Sequence, residues 1–262
     1  EIENVVRAKY IDTADDKEMT DAMLRGLVDG LDDKYAAYYT KEEYEEVKLS
    51  NAGMTRGIGI TISQDGQTGE LLVIEVSEGM PAEEAGIQAG DVLTAINGED
   101  LTGADSTLAA RMIQSSEDPV TVTVRRAEEE MLSFTMNKAE MKTVAVAGRM
   151  LEDGIGYIQI RTFNGLTADQ FAEEYAALQE EGMTGLIIDL RNNLGGLVSA
   201  CCDTVSQILP AGPIVYEKDR SGPERHQDSE GKTPIDIPLV LLVNGYTASA
   251  SEIFTGAVRD YD

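Results

Sequence analysis

Leu239-Val-Leu-Leu-Val-Asn-Gly-Tyr-Thr-Ala-Ser-Ala-Ser-Glu252 is the stretch on which the fold of this chain turns. Leu239–Val243 is a short unbroken apolar run and predicts a fully buried strand. Asn244-Gly245 marks a turn, and Glu252-Ile-Phe-Thr-Gly-Ala-Val258 reads as the first turns of a helix. A buried strand that passes through small residues into a helix belongs to an α/β fold. Such a junction can also hold a serine hydroxyl exposed beside backbone N–H groups that no helical carbonyl satisfies. From these residues alone, a nucleophile and an ordinary serine-capped helix start stand as equal readings.

The residues upstream extend the α/β pattern back to about 143. Gly156-Tyr-Ile-Gln-Ile160 predicts a strand, and Thr167-Ala-Asp-Gln170 predicts a capping box. The helix behind it carries Phe171, Tyr175 and Leu178 on one face, with Gly182 as its stop. Leu186-Ile-Ile-Asp-Leu190 predicts a buried strand that runs into Arg191-Asn-Asn-Leu-Gly-Gly196. A helical stretch with Leu197, Cys201, Val205 and Ile208 follows. Glu217–Pro234, rich in charge, glycine and proline, predicts a loop.

Residues 51–142 have a different character. Gly57-Ile-Gly-Ile-Thr-Ile62 and Leu71-Leu-Val-Ile-Glu-Val76 predict strands joined by a turn over Gln64–Gly69. Pro81-Ala-Glu-Glu-Ala85 predicts a short helix stopped by Gly86, and Val92–Ile96 a strand closed by Asn97-Gly98. Leu108, Ala109, Met112 and Ile113 share a helical stripe, and Val120-Thr-Val-Thr-Val124 alternates as a strand. Gly57-x-Gly59 precedes a strand instead of a helix, so it has no helix dipole with which to bind phosphate. Residues 1–50 predict helices. Met23, Leu24, Leu27, Val28 and Leu31 form a stripe expected to pack as core, and Thr40-Lys-Glu-Glu43 a capping box.

Composition narrows the function. The net charge of −27 offers nothing to neutralise phosphates, which argues against nucleic acid and against anionic lipid. The adjacent Cys201 and Cys202 have no metal-binding spacing and no disulfide geometry. No metal or organic cofactor is implied. A nucleophilic serine needs a base, but the one histidine, His226, falls in a charged stretch and reads as a solvated surface residue. A Ser-His-Asp triad is thereby disfavoured, which leaves a lysine held neutral by burial. The nine lysines are Lys9, Lys17, Lys34, Lys41, Lys48, Lys138, Lys142, Lys218 and Lys232, none downstream of Ser249 and none in a promising context.

Two sets of motifs carry a resemblance. Arg56-Gly-Ile-Gly-Ile60, Pro81-Ala-Glu-Glu-Ala-Gly-Ile87, Ala89-Gly-Asp-Val92 and Ile96-Asn-Gly98 resemble a PDZ domain of the bacterial-protease type. Gly154-Ile-Gly-Tyr-Ile158, Leu190-Arg-Asn-Asn-Leu-Gly-Gly196 and Thr247-Ala-Ser-Ala-Ser-Glu252 resemble the signature segments of the carboxy-terminal processing (tail-specific) serine proteases of family S41. Thr247 stands where that family has the first serine of its segment. The resemblance implies an N-terminal helical segment (1–50), an inserted PDZ domain (51–142) and an α/β protease core of the crotonase/ClpP-like spiral type (143–262).

By the same resemblance the nucleophile is Ser249, working with a lysine on a later strand. The chain as written is accordingly expected to be shortened at its C-terminus and inactive. The N–H of Ala250 follows the nucleophile and is the natural first oxyanion donor. The resemblance assigns the second donor to the glycine turn, at Gly195. Glu252 either orients the site or only caps the helix, and both readings stay open. Backbone N–H groups around Gly57, Ile58, Gly59 and Ile60 would take the C-terminal carboxylate of a peptide substrate with an apolar tail. Leu108, Met112 and Ile113 would form the opposite groove wall. Further implications are an extracytoplasmic location, an upstream anchor or signal, and room for a homo-oligomer. Two alternatives remain: a non-catalytic PDZ peptide-binding protein on an inactive protease-like scaffold, and an acyl-transfer or hydratase enzyme with a backbone oxyanion hole.

Overall fold

A computed structural model describes residues 2–11, 15–33, 36–127, 130–218, 220, 222 and 224–261; Lys34 and three positions of the expected 217–234 loop (219, 221 and 223) lie outside them. The chain divides into two compact units, residues 1–50 and 51–262.

The first unit holds helices α1 (Ile2–Lys9) and α2 (Asp16–Asp29) and most of α3 (Lys41–Asn51). Asp15 caps α2 by accepting from Glu18 N–H, and the Thr40–Glu43 capping box closes in both directions. The stripe on α2 does not form a core. The helix buries none of its residues, and Leu27 is 71% exposed. Polar contacts join α2 to α3 and the segment before it: Lys17 to Glu42 at 3.2 Å, Arg25 to Glu43 at 2.9 Å, and Tyr38 Oη to Asp21 at 2.8 Å.

The second unit contains two hydrophobic cores. The first lies under a sheet of β2 (Ile60–Gln64), β3 (Leu71–Val76), β4 (Val92–Ile96), β6 (Val120–Arg126) and β7 (Glu130–Met136), in the order β2-β3-β4-β6-β7. The two-residue strand β5 (Glu99–Asp100) pairs with β4. Val120, Val122 and Val124 alternate inward, while Thr121 and Thr123 bond across to Thr135 and Ser133. Helix α4 (Pro81–Ala85) ends at Gly86 with φ 96°, and α5 (Ser106–Ser115) is capped by Asp105. A separate ladder pairs β1 (Met54–Gly57) with β8 (Ala139–Lys142). Ile58-Gly59 interrupts the extended run between β1 and β2.

The second core carries a sheet of order β14-β11-β10-β9, built from β9 (Val146–Met150), β10 (Ile155–Ile160), β11 (Gly185–Asp189) and β14 (Leu239–Leu242). Strands β10, β11 and β14 run parallel; β9 is antiparallel to β10. Helix α6 (Thr167–Glu180) makes the crossover from β10 to β11. Helices α7 (Val198–Val205) and α8 (Ala250–Asp260) follow β11 and β14 and pack on each other.

Three sequence expectations are corrected here. The Thr167–Gln170 capping box does not form, because both side chains are drawn into tertiary bonds. Thr167 Oγ1 donates to Thr162 C=O, and the Gln170 amide bridges Thr143, Ala145 and Val146. Strand β14 is an edge strand with Val240 51% exposed, not a fully buried one. The stretch expected as loop contains β13 (Arg225–Ser229), paired with β12 (Gly212–Glu217).

Candidate active site and peptide groove

Parallel pairing explains why two distant segments meet. The register sets Asp189 opposite Leu242, so the loops leaving the carboxyl ends of β11 and β14 start level. In open α/β sheets this end is where ligands gather. The 190–196 and 244–250 segments are then laced together. Ala248 N–H donates to Asn193 C=O at 3.1 Å, and Thr247 Oγ1 to Leu190 C=O at 2.9 Å. Asn192 N–H donates to Asn244 Oδ1 at 3.0 Å, and Asn244 Nδ2 returns to Asn192 Oδ1 at 2.9 Å. The Cys201 thiol, on α7, donates to Ala250 C=O at 3.1 Å. Burial pushes that thiol up to about 12, so it stays protonated and able to donate.

Ser249 is the exposed N-cap of α8, at φ 56°, ψ −121°. Ser251 N–H bonds back to Ala248 C=O at 3.1 Å, closing a four-residue turn. Its second position has the dihedrals of a type II′ turn, where glycine is the ordinary residue. A serine held there is strained, with the backbone geometry that a nucleophile elbow also uses. The Ser249 N–H donates to Glu252 Oε2 at 2.7 Å, so Glu252 caps the helix and anchors the serine backbone at once. Ala250 is the first helical residue, and no acceptor for its N–H is found among the described residues. A cleft of about 340 Å³ opens alongside, lined by Val243, Asn244, Thr247, Glu252, Thr255, Gly256 and Arg259.

Gly195 lies against this turn. A Cβ on it would stand 2.9 Å from Ser249 Cβ and from Ala250 N, and 2.8 Å from Ala248 O, and its φ is 103°. Only glycine fits that approach. Its N–H, however, is taken by Asn193 Oδ1 at 2.8 Å, which differs from the expectation of a free donor. Asn193 is fully buried and fixes its own amide by donating Nδ2 to Ile160 C=O at 2.9 Å. Sequence reading missed this asparagine; its place between a buried strand and two glycines was the available signal.

The base of the turn is held by charge. Asp189 is 1% exposed and accepts from Arg191 Nε at 2.9 Å, from the Arg191 guanidinium again at 2.6 Å, and from Tyr157 Oη at 2.6 Å. The Arg191 guanidinium, and after it the Tyr157 hydroxyl, lower its carboxyl to about 2 against the cost of burial. Among the described residues of 51–262, neither histidine nor lysine is bonded to the serine. His226 sits on β13, exposed, facing Asp228 at 3.3 Å. Lys138 Nζ is bonded to the carbonyls of Gln114 and Ser116, and Lys232 to Glu230. Among the described residues no lysine or histidine is hydrogen-bonded to Ser249; the ionisable side chain joined to it is Glu252, through the Ser249 N–H.

The second candidate site is the open edge of β2. Gly59 has φ 81°, and a Cβ there would meet Met80 Cβ at 2.3 Å. The carbonyls of Ile58 and Gly59 are tied inward to Ala82 and Ser77 N–H, which fixes the conformation of this loop. A groove of about 450 Å³ separates β2 from α5, lined by Ile60, Ile62, Ser106, Thr107, Ala110, Arg111 and Gln114. Leu108 and Met112 do not form its wall. Met112 packs on the domain core with the buried Ile113, and Leu108 is 45% exposed on a different face of α5. Helix α5 turns its more polar face to the groove.

No helix among the described residues is long and apolar enough to cross a membrane. Comparison with known proteins agrees with this layout. The sequence model of peptidase family S41 matches residues 154–262, and that of the PDZ domain matches residues 46–125. The carboxyl-terminal-processing protease of Synechocystis is 32% identical over 263 residues, covering 98% of this chain and 62% of the relative. The carboxy-terminal processing protease CtpA of Bacillus subtilis is 27% identical over 257 residues, covering 97% and 55%. The chain therefore spans a little over half the length of these relatives. The solved photosystem II D1 C-terminal processing protease superposes with a TM-score of 0.50 at 25% identity, over 98% of this chain and 71% of that one.

Proposed function

Because the chain belongs to peptidase family S41 and carries a PDZ domain, we propose that it is the substrate-binding and nucleophile-bearing part of a carboxyl-terminal processing serine endopeptidase. One observation carries the reading: Ser249 is held exposed in a glycine-type turn, with the Ala250 N–H unclaimed beside it and Gly195 pressed against both. Ser249 Oγ attacks the scissile peptide carbonyl. Its proton passes to a lysine amine, then to the departing amine of the substrate, and water hydrolyses the acyl-enzyme. The family resemblance takes that lysine from a strand that follows the serine helix, and among the described residues of 51–262 no lysine is joined to Ser249.

The oxyanion is held by Ala250 N–H together with Gly195 N–H. A developing negative charge is a stronger acceptor than a neutral amide, so it displaces Asn193 Oδ1 from the Gly195 donor as the tetrahedral intermediate forms. The substrate's C-terminal carboxylate docks at Gly57–Ile60, and its last residues add as a strand to β2. An extracytoplasmic site of action follows from the same relationship.

The test is cleavage of a protein with a free C-terminal tail by the enzyme at the full length of its relatives, beside Ser249→Ala. Full activity of Ser249→Ala would sink the mechanism. A second reading is favoured because no lysine or histidine among the described residues is hydrogen-bonded to Ser249: a PDZ peptide-binding protein on an inactive scaffold. A full-length enzyme that binds tails tightly yet never labels Ser249 with a fluorophosphonate would select it.

A further inference from the structure

The groove between β2 and α5 has a chemistry that its apolar strand does not announce. We propose that it selects C-terminal tails carrying an acidic side chain at the third residue from the end, read by Arg111 with help from the Thr107 hydroxyl. The inference rests on the PDZ reading and specifies the substrate class for that site.

The polarity of the two walls comes from one contact. Gln64 Nε2, at the far end of β2, donates to Ala104 C=O, just before α5 begins. Helix α5 therefore runs antiparallel to β2, and the Ile58–Ile60 loop faces the helix's C-terminal end. A tail whose carboxylate sits at that loop lies antiparallel to β2, with alternate side chains turned into the groove. Its last and third-from-last side chains are separated by about 7 Å. Along the helix wall Gln114, Arg111 and Thr107 follow in that order, Arg111 about 4.5 Å and Thr107 about 10.5 Å beyond Gln114. The last side chain thus meets Ile60 and Gln114. The third-from-last falls between Arg111 and Thr107, over Ile62.

Arg111 is the one charged side chain in that lining. It is exposed and makes no ion pair among the described residues. In a chain of net charge −27 an unpaired arginine facing a peptide groove gives a local reversal of sign. The distant negative charges are damped beyond about 8 Å at physiological ionic strength, whereas a contact pair in the groove is damped far less. An acid at this position is therefore attracted although the molecule as a whole repels it.

Labelled peptides with a Glu or a Gln third from the end, each with a free or an amidated C-terminus, would be titrated by fluorescence anisotropy into the protein and its Arg111→Gln variant. The free-carboxylate Glu peptide is expected to bind about two- to fivefold tighter than the Gln peptide, the range of an exposed ion pair. That preference should vanish in Arg111→Gln and at high salt, while both peptides lose binding when amidated. Equal affinity for Glu and Gln peptides, with the free carboxylate still required, would overturn the acidic preference and leave the PDZ reading intact. A Glu preference that survives Arg111→Gln would overturn the assignment to Arg111. Failure of every free-carboxylate peptide to bind would take down the PDZ reading itself.

Discussion

The turn at Ser249 should be a measurable cost to the folded protein. Its φ of 56° and ψ of −121° belong to glycine, and a residue with a Cβ held there stores about 1–3 kcal/mol. Ser249→Ala removes the hydroxyl and keeps the strain; Ser249→Gly removes both. Glycine also loosens the unfolded chain, which offsets about 0.4–1 kcal/mol of the gain. The difference leaves Ser249→Gly about 1 kcal/mol more stable than Ser249→Ala. For a unit of this size that corresponds to about 2–4 °C in Tm. Both variants lose the nucleophile, so the comparison does not depend on activity and can be made on residues 1–262 by urea and thermal unfolding. The alanine variant is the right reference, because it shares the lost hydroxyl and isolates the backbone. A glycine variant equal to or less stable than the alanine variant would show that the turn stores no strain, and the nucleophile-elbow reading would lose its support.

Gly195→Ala would force a Cβ to within 2.9 Å of Ser249 Cβ and Ala250 N at φ 103°, and should reduce kcat of the full-length enzyme by at least about a hundredfold, the scale of losing an oxyanion donor; near wild-type kcat would remove this glycine from the site. Asp189 gives an acid-sensitive contribution: its folded pKa of about 2 lies below the unfolded value near 3.9, so its stabilisation is complete above pH 4 and disappears as pH falls towards 2. Asp189→Asn should therefore cost about 2 kcal/mol at pH 7 and much less at pH 2.5, and a penalty independent of pH would refute the charge argument. Asn244→Ala cuts both arms of the Asn192–Asn244 exchange and should lower kcat more than it raises KM, while Asn244→Asp, which keeps the acceptor for Asn192 N–H, should recover part of the loss. Gly59→Ala drives a methyl into Met80 and should abolish tail binding with little effect on fluorophosphonate labelling of Ser249 in the full-length enzyme.

Where a residue's neighbours in sequence decided its state, the sequence was legible. Thr40 and Glu43 form their capping box on an exposed surface, where Glu43 can pair with Arg25 and still accept from Thr40 N–H. Thr167 and Gln170 present the same local pattern and do not, since a buried Thr167 and a Gln170 facing three backbone groups gain more from the tertiary structure. The groove failed for a related reason. Apolar periodicity on α5 identifies Ala109 and Ile113 as core, but the face that lines the groove is the complementary one, at Thr107, Ala110, Arg111 and Gln114. A search for an apolar wall therefore found the inside of the domain. Strand β14 misled in the opposite sense, because its sequence is apolar throughout while its position at the sheet edge leaves Val240 open. Ser249 and the glycine turn were singled out by the family resemblance of their motifs, the residue types alone leaving a nucleophile and a capped helix start equal. Asn193, which claims the Gly195 N–H, requires knowledge of which carbonyl its amide can reach.

That last contact bears on how the site keeps its shape. A strained turn persists only where its surroundings over-determine it. Here the determinants come from the neighbouring loop: Asn193 C=O holds Ala248 N–H, Leu190 C=O holds Thr247 Oγ1, and the paired amides of Asn192 and Asn244 close the rim. On the inner side the Cys201 thiol holds Ala250 C=O, and Glu252 holds the Ser249 N–H. Each bond contributes about 1 kcal/mol net, so together they exceed the 1–3 kcal/mol stored at Ser249. None of these bonds uses the Ala250 N–H. The lacing therefore satisfies the polar groups around the turn while leaving that donor, beside the serine, without an acceptor among the described residues. Had the sequence placed glycine at 249, the turn would close with less support but would carry no hydroxyl. The cross-loop bonds are what permit a side chain at the one position where the turn would otherwise admit none.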